Sequence, residues 1–160
     1  MNNPFLNKSL PELKAMTPGL ADPELNALCA AMCDEKWVRW YDDERFIAYR
    51  IPERAGWFCF ESYEAVTPRI RLEGYYEPTS DGREAMRLLE KLLDQGQVGF
   101  HKTKDGRIVL MYGESIVTQN FAFIKSNTVY RAITEAAVVA GLTEMIEKNK
   151  NDKGERDGRR

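Results

Sequence analysis

The stretch Glu77-Pro78-Thr79-Ser80-Asp81, which opens the run Gly82–Asp94, decides how this chain folds. Asp81 or Ser80 is of the type that caps a helix, and Glu84 follows Asp81 by three positions, as the reciprocal partner in a capping box does. Apolar residues then recur at helical spacing. The pattern predicts an amphipathic helix, whose apolar stripe consists of Ala85, Leu88, Leu89, Leu92 and Leu93.

A hairpin is predicted directly after this helix. Gly96 is of the type that ends a helix. The segments Val98–Thr103 and Arg107–Tyr112 flank Lys104-Asp105-Gly106, a turn sequence typical of β-hairpins. The segment Ile116–Ile124 predicts a further strand.

The last predicted element is a long helix, capped by Asn127 and ending at about Lys148. The segment Asn149–Arg160 is charged, contains glycine and lacks apolar residues, so we expect a disordered tail there. The face predicted to be buried on this helix consists of Tyr130, Ile133, Ala137, Ala140 and Met145.

The N-terminal part of the chain predicts an arm and one short helix. Met1–Ala21 carries three prolines and short apolar patches, which indicate an extended arm or a loosely docked segment, with one helical turn near Pro11–Met16. Asp22-Pro23-Glu24 is a helix start, with a capping aspartate and then proline at the first helical position. We therefore predict a helix at about 22–33.

The region 37–76 is rich in aromatic and β-branched residues, which are typical of strands. The expected strands are Lys36–Tyr41 and Arg45–Ile51 as a hairpin, then Trp57–Phe60 and Arg69–Glu73. Strands grouped between helices and joined by short turns predict an α+β fold, with helices packed on an antiparallel sheet in an α-β-α sandwich-like arrangement. A single domain is expected over residues 22–148.

Composition excludes several classes of protein. The 160 residues carry a net charge of −2, which disfavours binding to duplex DNA by phosphate neutralisation. No apolar run approaches the length of about 18 residues that a membrane span needs. Residues 1–20 lack the basic and apolar regions of a secretory signal, and the three cysteines follow no disulfide framework, so we expect a reduced, cytoplasmic protein.

Part of the chain resembles the phage ABA sandwich, a family of small bacteriophage and prophage domains. The resemblance extends roughly over residues 22–145, mainly 76–145, whereas residues 41–70 are longer than such domains usually need. It implies a helix–sheet–helix sandwich of phage origin and brings no catalytic residues with it. The segments that carry it are Tyr76–Asp81, Ala85–Leu92, Arg107–Tyr112 and the Ala-rich Thr128–Leu142, together with a first helix that ends shortly before Trp37.

No catalytic or metal-binding pattern is evident. His101, the only histidine, is placed on a strand just before a hairpin turn, where an exposed structural role competes with acid–base chemistry. Cys29 and Cys33 are four residues apart on one predicted helix, but with Cys59 they lack the paired spacing of a zinc site. Glycine-rich phosphate loops are absent, so neither a cofactor nor a metal is expected.

The strongest binding pattern is the alternation of aromatic and arginine residues in the region 37–76. Aromatic rings can stack on a base and guanidinium groups can hold phosphate, although inward aromatics with outward arginines are also the ordinary pattern of a solvated sheet. The candidate binding residues are Trp37, Arg39, Trp40, Arg45, Tyr49, Arg50, Trp57, Arg69 and Arg71.

The first functional hypothesis is a non-enzymatic phage or prophage accessory protein in the host bacterial cytoplasm. As a homo-oligomer, it would act in counter-defence by binding a host protein or by sequestering a small anionic ligand such as a nucleotide. Two alternatives remain: a structural or assembly protein of the phage, and a small hydrolase or transferase that uses His101 with a carboxylate.

Overall fold

The computed structural model describes residue 5 and residues 7–33, 37–40, 45–50, 59–60, 76–115 and 120–157. The described residues form two three-stranded antiparallel sheets, ordered β1-β2-β3 and β4-β5-β6, with helices packed on them, which confirms the α+β class. The helices are α1 (Leu10–Met16), α2 (Asp22–Met32), α3 (Gly82–Gln95) and α4 (Val129–Asp157). The strands are β1 (Trp37–Trp40), β2 (Arg45–Arg50), β3 (Cys59–Phe60), β4 (Gln97–Lys102), β5 (Ile108–Ser115) and β6 (Asn120–Ser126).

The hairpin β4–β5 forms where the sequence predicts it. Gly106 has a φ of 84°, in the left-handed region that glycine adopts readily, and its N–H donates to the carbonyl of Thr103 at 3.0 Å. Leu110 lies fully buried between Phe100 on β4 and Ile124 on β6. Strand β6 runs from Asn120 to Ser126, so it ends two residues later than predicted, and residues 116–119 lie outside the described part of the chain.

Helix α4 is the central element, because it packs against α1, α2, α3, β5 and β6. Small residues permit this close packing: a Cβ on Gly141 would lie 2.6 Å from Cε of Met32. The helix cap is Thr128 and not the predicted Asn127, since Oγ1 of Thr128 accepts the N–H of Arg131 at 3.1 Å.

Helix α4 also continues beyond its predicted end at Lys148. Residues 149–157, predicted as part of a disordered tail, are helical, and residues 149–154 are exposed. The charged residues that suggested disorder, such as Lys150 and Lys153, are also good helix formers, so they extend a helix that its first half already anchors.

The N-terminal segment belongs to the hydrophobic core, in contrast to the loosely docked arm that its prolines suggested. Phe5 and Leu13 are 2% and 1% exposed, and α1 packs against α4. Helix α1 begins with a capping box, in which Ser9 donates its N–H to Glu12 at 2.7 Å. The short apolar patches therefore complete the core.

The start of α2 is shifted by one residue. Ala21 is the N-cap, and its N–H donates to the carboxylate of Glu24 at 3.1 Å. Asp22, which the sequence suggested as the cap, instead forms an ion pair with Arg131.

Helix α3 has the predicted cap but a narrower buried stripe. The Oδ1 atom of Asp81 accepts the N–H of Arg83 at 2.9 Å, whereas Glu84 pairs with Arg87 instead of reaching back to the cap. Leu93 is 51% exposed. The side chains of this helix that are buried are Ala85, Leu88 and Leu92.

The aromatic-rich region contains the predicted first hairpin. Val38 pairs with Ile47 across β1 and β2 and is fully buried, and β1 packs on α2. Strand β3 adds Cys59 opposite Arg50. Residues 57–58 and the predicted strand 69–73 lie outside the described residues. Among the described helices, none is long and apolar enough to cross a membrane.

Candidate functional site

The predicted aromatic and arginine residues lie partly on the first sheet. The backbone register pairs Trp40 with Arg45, at the end of the hairpin. The six residues on described strands are Trp37, Arg39, Trp40, Arg45, Tyr49 and Arg50. Trp57, Arg69 and Arg71 lie outside the described residues, so a binding surface formed by the whole set stays a prediction.

The histidine and cysteine candidates do not assemble a reactive centre in the described part of the chain. His101 is exposed on β4, opposite Val109. No group of three or more histidine, cysteine or acidic side chains there could hold a metal ion.

Cys29 instead belongs to a buried contact between α2 and the segment before α3. Its Sγ atom lies 3.5 Å from the hydroxyl of Tyr76. The pKa of the Cys29 thiol is raised, mainly by a hydrogen bond with Cys33 and next by burial. The thiol therefore stays protonated at neutral pH. Nearby, Asn26 accepts the N–H of Thr79 at 3.1 Å. These contacts attach α3 to α2 and give no sign of chemistry.

A cavity of about 490 Å³ lies at the N-terminus of α4, and the sequence analysis did not identify it. It lies where the end of β6, the β4–β5 turn and the start of α2 meet. We call it the α4 N-terminal pocket; its lining residues are Pro18, Asp22, Arg107, Lys125, Ser126, Asn127, Thr128, Arg131 and Glu135.

The helix itself supplies partial positive charge to this pocket. Thr128 satisfies the N–H of Arg131. The N–H groups of Val129 and Tyr130 belong to the same first turn but not to the pocket lining, and they make no hydrogen bond with a described residue. Free N–H groups in the first turn, together with the aligned peptide dipoles of a helix that runs to Asp157, favour an anion at this end.

Ser126 adds an unsatisfied hydroxyl to the lining of the same pocket. The residue is 5% exposed, and its Oγ atom has no hydrogen-bond partner in the described residues. A buried hydroxyl without a partner costs about 1–3 kcal/mol, so such groups are uncommon in folded proteins. A ligand oxygen in the pocket would satisfy it.

Two cationic side chains, Arg107 and Lys125, line the pocket, and both form an ion pair with Asp105. Asp105 lies 3.7 Å from Nε of Arg107 and 3.7 Å from Nζ of Lys125. The Thr103 hydroxyl donates a hydrogen bond to Asp105 and lowers the pKa of its carboxyl group. All three charged side chains are about half exposed. Ion pairs of this kind contribute little, so a bound anion can compete for both cations.

Arg131 forms the inner wall of the pocket and is held in place from three sides. Its Nε donates to Glu135 at 2.9 Å, its Nη2 donates to the carbonyl of Leu20 at 2.6 Å, and its Nη1 pairs with Asp22. Burial raises the pKa of Glu135, and the neighbouring guanidinium opposes that effect. The two carboxylates in the pocket are therefore already paired with this arginine.

The sequence contained a signal for this pocket in Lys125-Ser126-Asn127-Thr128, a cation and three small polar residues directly before a helix. Within this segment, the local pattern assigns a role only to Asn127, as a helix cap. The sequence does not show that Arg107 and Asp22 line the same pocket, because both are distant from this segment along the chain.

Comparison of the chain with protein-family models, with curated proteins and with solved structures finds no match. The resemblance to the phage ABA sandwich therefore stays a prediction, and the functional argument depends on the pocket itself.

Proposed function

We propose that this chain is a binding protein that holds a small anionic ligand, such as a phosphate monoester or a nucleotide, in the α4 N-terminal pocket. The observation that carries the proposal is the buried hydroxyl of Ser126, which has no partner among the described residues and lies near the N-terminus of a long helix, beside Arg107 and Lys125. Hydroxyl, backbone N–H and cationic donors together match the acceptor oxygens of a phosphate or carboxylate group.

Binding fits the pocket better than catalysis does. The described residues of its lining include no histidine or cysteine, and Asp22 and Glu135 are both paired with Arg131. General acid–base or nucleophilic chemistry needs a group that is free to exchange a proton or attack. The donors that line the pocket are suited to holding an anion.

The wider role that we propose follows from the sequence resemblance. The protein would be a phage or prophage accessory protein that works in the bacterial cytoplasm as a homo-oligomer, where it acts in counter-defence by sequestering a nucleotide-like ligand. The aromatic and arginine residues of the first sheet would supply a second surface, for a base or for a host protein.

The test is isothermal titration of the purified protein with inorganic phosphate, adenosine monophosphate and cyclic nucleotides. We expect the double variant Arg107→Gln/Lys125→Gln to bind at least about tenfold more weakly, because two cations that face the anion are lost. Lys102→Gln/Lys104→Gln removes the same charge from the exposed end of the hairpin, outside the pocket lining, and is the matched control.

The proposal fails if none of these anions binds, or if the two double variants weaken binding equally. Equal weakening would mean that overall charge, and not the α4 N-terminal pocket, attracts the ligand.

A further inference from the structure

The middle of α4 lines a groove of about 730 Å³, whose other lining residues lie on or next to α1, α3, β5 and β6. Its centre lies about 18 Å along the helix from Arg131, given a rise of 1.5 Å per residue. We call it the acidic groove. Its apolar floor consists of Leu92, Tyr112, Ala122, Val139 and Ala140.

The rim of the acidic groove carries an excess of negative charge. Glu144 and Glu147 lie one turn apart on α4, and Glu114 lies on β5. All three are exposed, and none has an ion pair with a described residue. Among the described residues that line the groove, Lys14 is the one cation, so three carboxylates face one ammonium group there, and Lys91 lines the smaller cavity beside it.

A smaller cavity extends the groove towards α2. It has a volume of about 150 Å³, the size of a cavity that holds a benzene ring. Met32 and Leu88 contribute apolar walls, and Lys91 lies at its edge, where its Nζ atom is 3.8 Å from Sγ of Cys33. The cavity shares Leu92, Gln95, Ala140 and Glu144 with the acidic groove. A pocket of this kind can receive one large apolar side chain as an anchor.

We propose that the acidic groove binds a basic amphipathic helix of a partner protein. The apolar floor would bury the apolar face of that helix, with one large side chain in the smaller cavity, as in helix-in-groove recognition. Lysine or arginine residues at its flanks would pair with Glu114, Glu144 and Glu147, which have the opposite charge. This surface is separate from the α4 N-terminal pocket, so it does not depend on the anion proposal.

Charge complementarity selects this occupant. An acidic or neutral helix would leave the three carboxylates unpaired beside a newly buried surface, which is costly. The spacing of Glu144 and Glu147 by three residues matches the one-turn spacing of side chains along a second helix packed beside α4.

The test uses a fluorescein-labelled synthetic helix of about 18 leucine and lysine residues, a length that forms five turns. Fluorescence anisotropy measures its affinity for the full chain. The double variant Glu144→Gln/Glu147→Gln should weaken binding about tenfold, whereas the control Glu90→Gln/Asp152→Asn, with the same change of charge outside the groove, should change it less than about twofold.

Two further ligands separate groove docking from simple charge attraction. A leucine and glutamate helix of equal length should not bind, and spermidine should not displace the lysine helix. The proposal is overturned if the lysine helix does not bind, if both double variants behave alike, or if spermidine competes fully, since that last result would indicate a polycation site.

Discussion

Ser126 ends strand β6 with a hydroxyl that is buried and lacks a hydrogen-bond partner among the described residues. Its backbone lies beside Ile108 in the sheet, so the residue cannot move to find a partner without disturbing the strand pair. An unsatisfied hydroxyl lowers the free energy of unfolding of the ligand-free protein. In the complex, it would donate a hydrogen bond to the ligand.

Ser126→Ala tests this interpretation directly. Without ligand, we expect the free energy of unfolding to stay unchanged or to rise by about 1 kcal/mol, because the variant removes an unsatisfied hydroxyl. In the control Thr134→Val, the free energy should fall, since Oγ1 of Thr134 donates to the carbonyl of Tyr130 at 2.8 Å. Urea unfolding measures both. A loss of more than about 1 kcal/mol in Ser126→Ala would show that the hydroxyl is already bonded.

Glu135 predicts a specific dependence of stability on pH. Burial raises its pKa in the folded protein above the value of the unfolded chain, about 4.3. The protonated form is therefore the one that folding favours, and its contribution is complete below the unfolded pKa and is lost as pH rises through the folded pKa.

The measurement is the difference in free energy of unfolding between the wild type and Glu135→Gln, followed by urea unfolding as pH rises from about 4. As pH rises through the raised pKa of Glu135, the free energy of unfolding of the wild type should fall relative to that of Glu135→Gln. The opposite slope would mean that Arg131, which lies 2.9 Å away, outweighs burial and lowers the pKa.

At the scale of elements, the end of α3 depends on a close backbone contact. Gly96 has a φ of 169°, which any residue can adopt, so its backbone conformation does not require glycine. A Cβ at this position would lie 2.2 Å from the carbonyl oxygen of Gly113, inside any real contact distance. The glycine that the sequence marks as a helix stop is thus needed for packing of α3 against β5.

Gly96→Ala should lower the free energy of unfolding by about 1–3 kcal/mol, the usual cost of overpacking. Gly154→Ala is the control, because a Cβ there has no neighbour within 4 Å and alanine is the better helix former. Thermal unfolding followed by circular dichroism checks both. Equal effects at the two positions would contradict the close contact at Gly96.

Elements with local signals could be predicted from the sequence. Asp81, Gly106 and the apolar stripe of α3 determine their surroundings within a few residues, and the helix and hairpin form where they indicate. The caps of α2 and α4 each lie one residue from the predicted position, because adjacent residues can also serve. Ala21 caps α2 while Asp22 pairs with the distant Arg131, and Thr128 caps α4 through its own hydroxyl.

At the scale of the whole molecule, the sequence could not show which distant segments meet. Phe5 is buried although it lies in a proline-rich segment, because the core around α4 provides a place for it. The α4 N-terminal pocket likewise joins Asp22, Arg107 and Lys125 from three elements. Such sites depend on packing and strand register, which local patterns do not contain.

Helix α4 connects the two proposed surfaces. Its N-terminus forms part of the α4 N-terminal pocket, and its middle lines the acidic groove. An anion and a partner helix would therefore both bind to the helix that packs against α1, α2, α3, β5 and β6.

The most direct test of the anion-binding claim is a titration of the ¹⁵N-labelled protein with inorganic phosphate, followed by the backbone amide resonances. The account predicts that the largest shifts belong to Ser126, Asn127, Thr128 and Arg131, which line the pocket, and that Arg107→Gln/Lys125→Gln suppresses them. Absent shifts, or small shifts spread over exposed lysines such as Lys102 and Lys104, would contradict it.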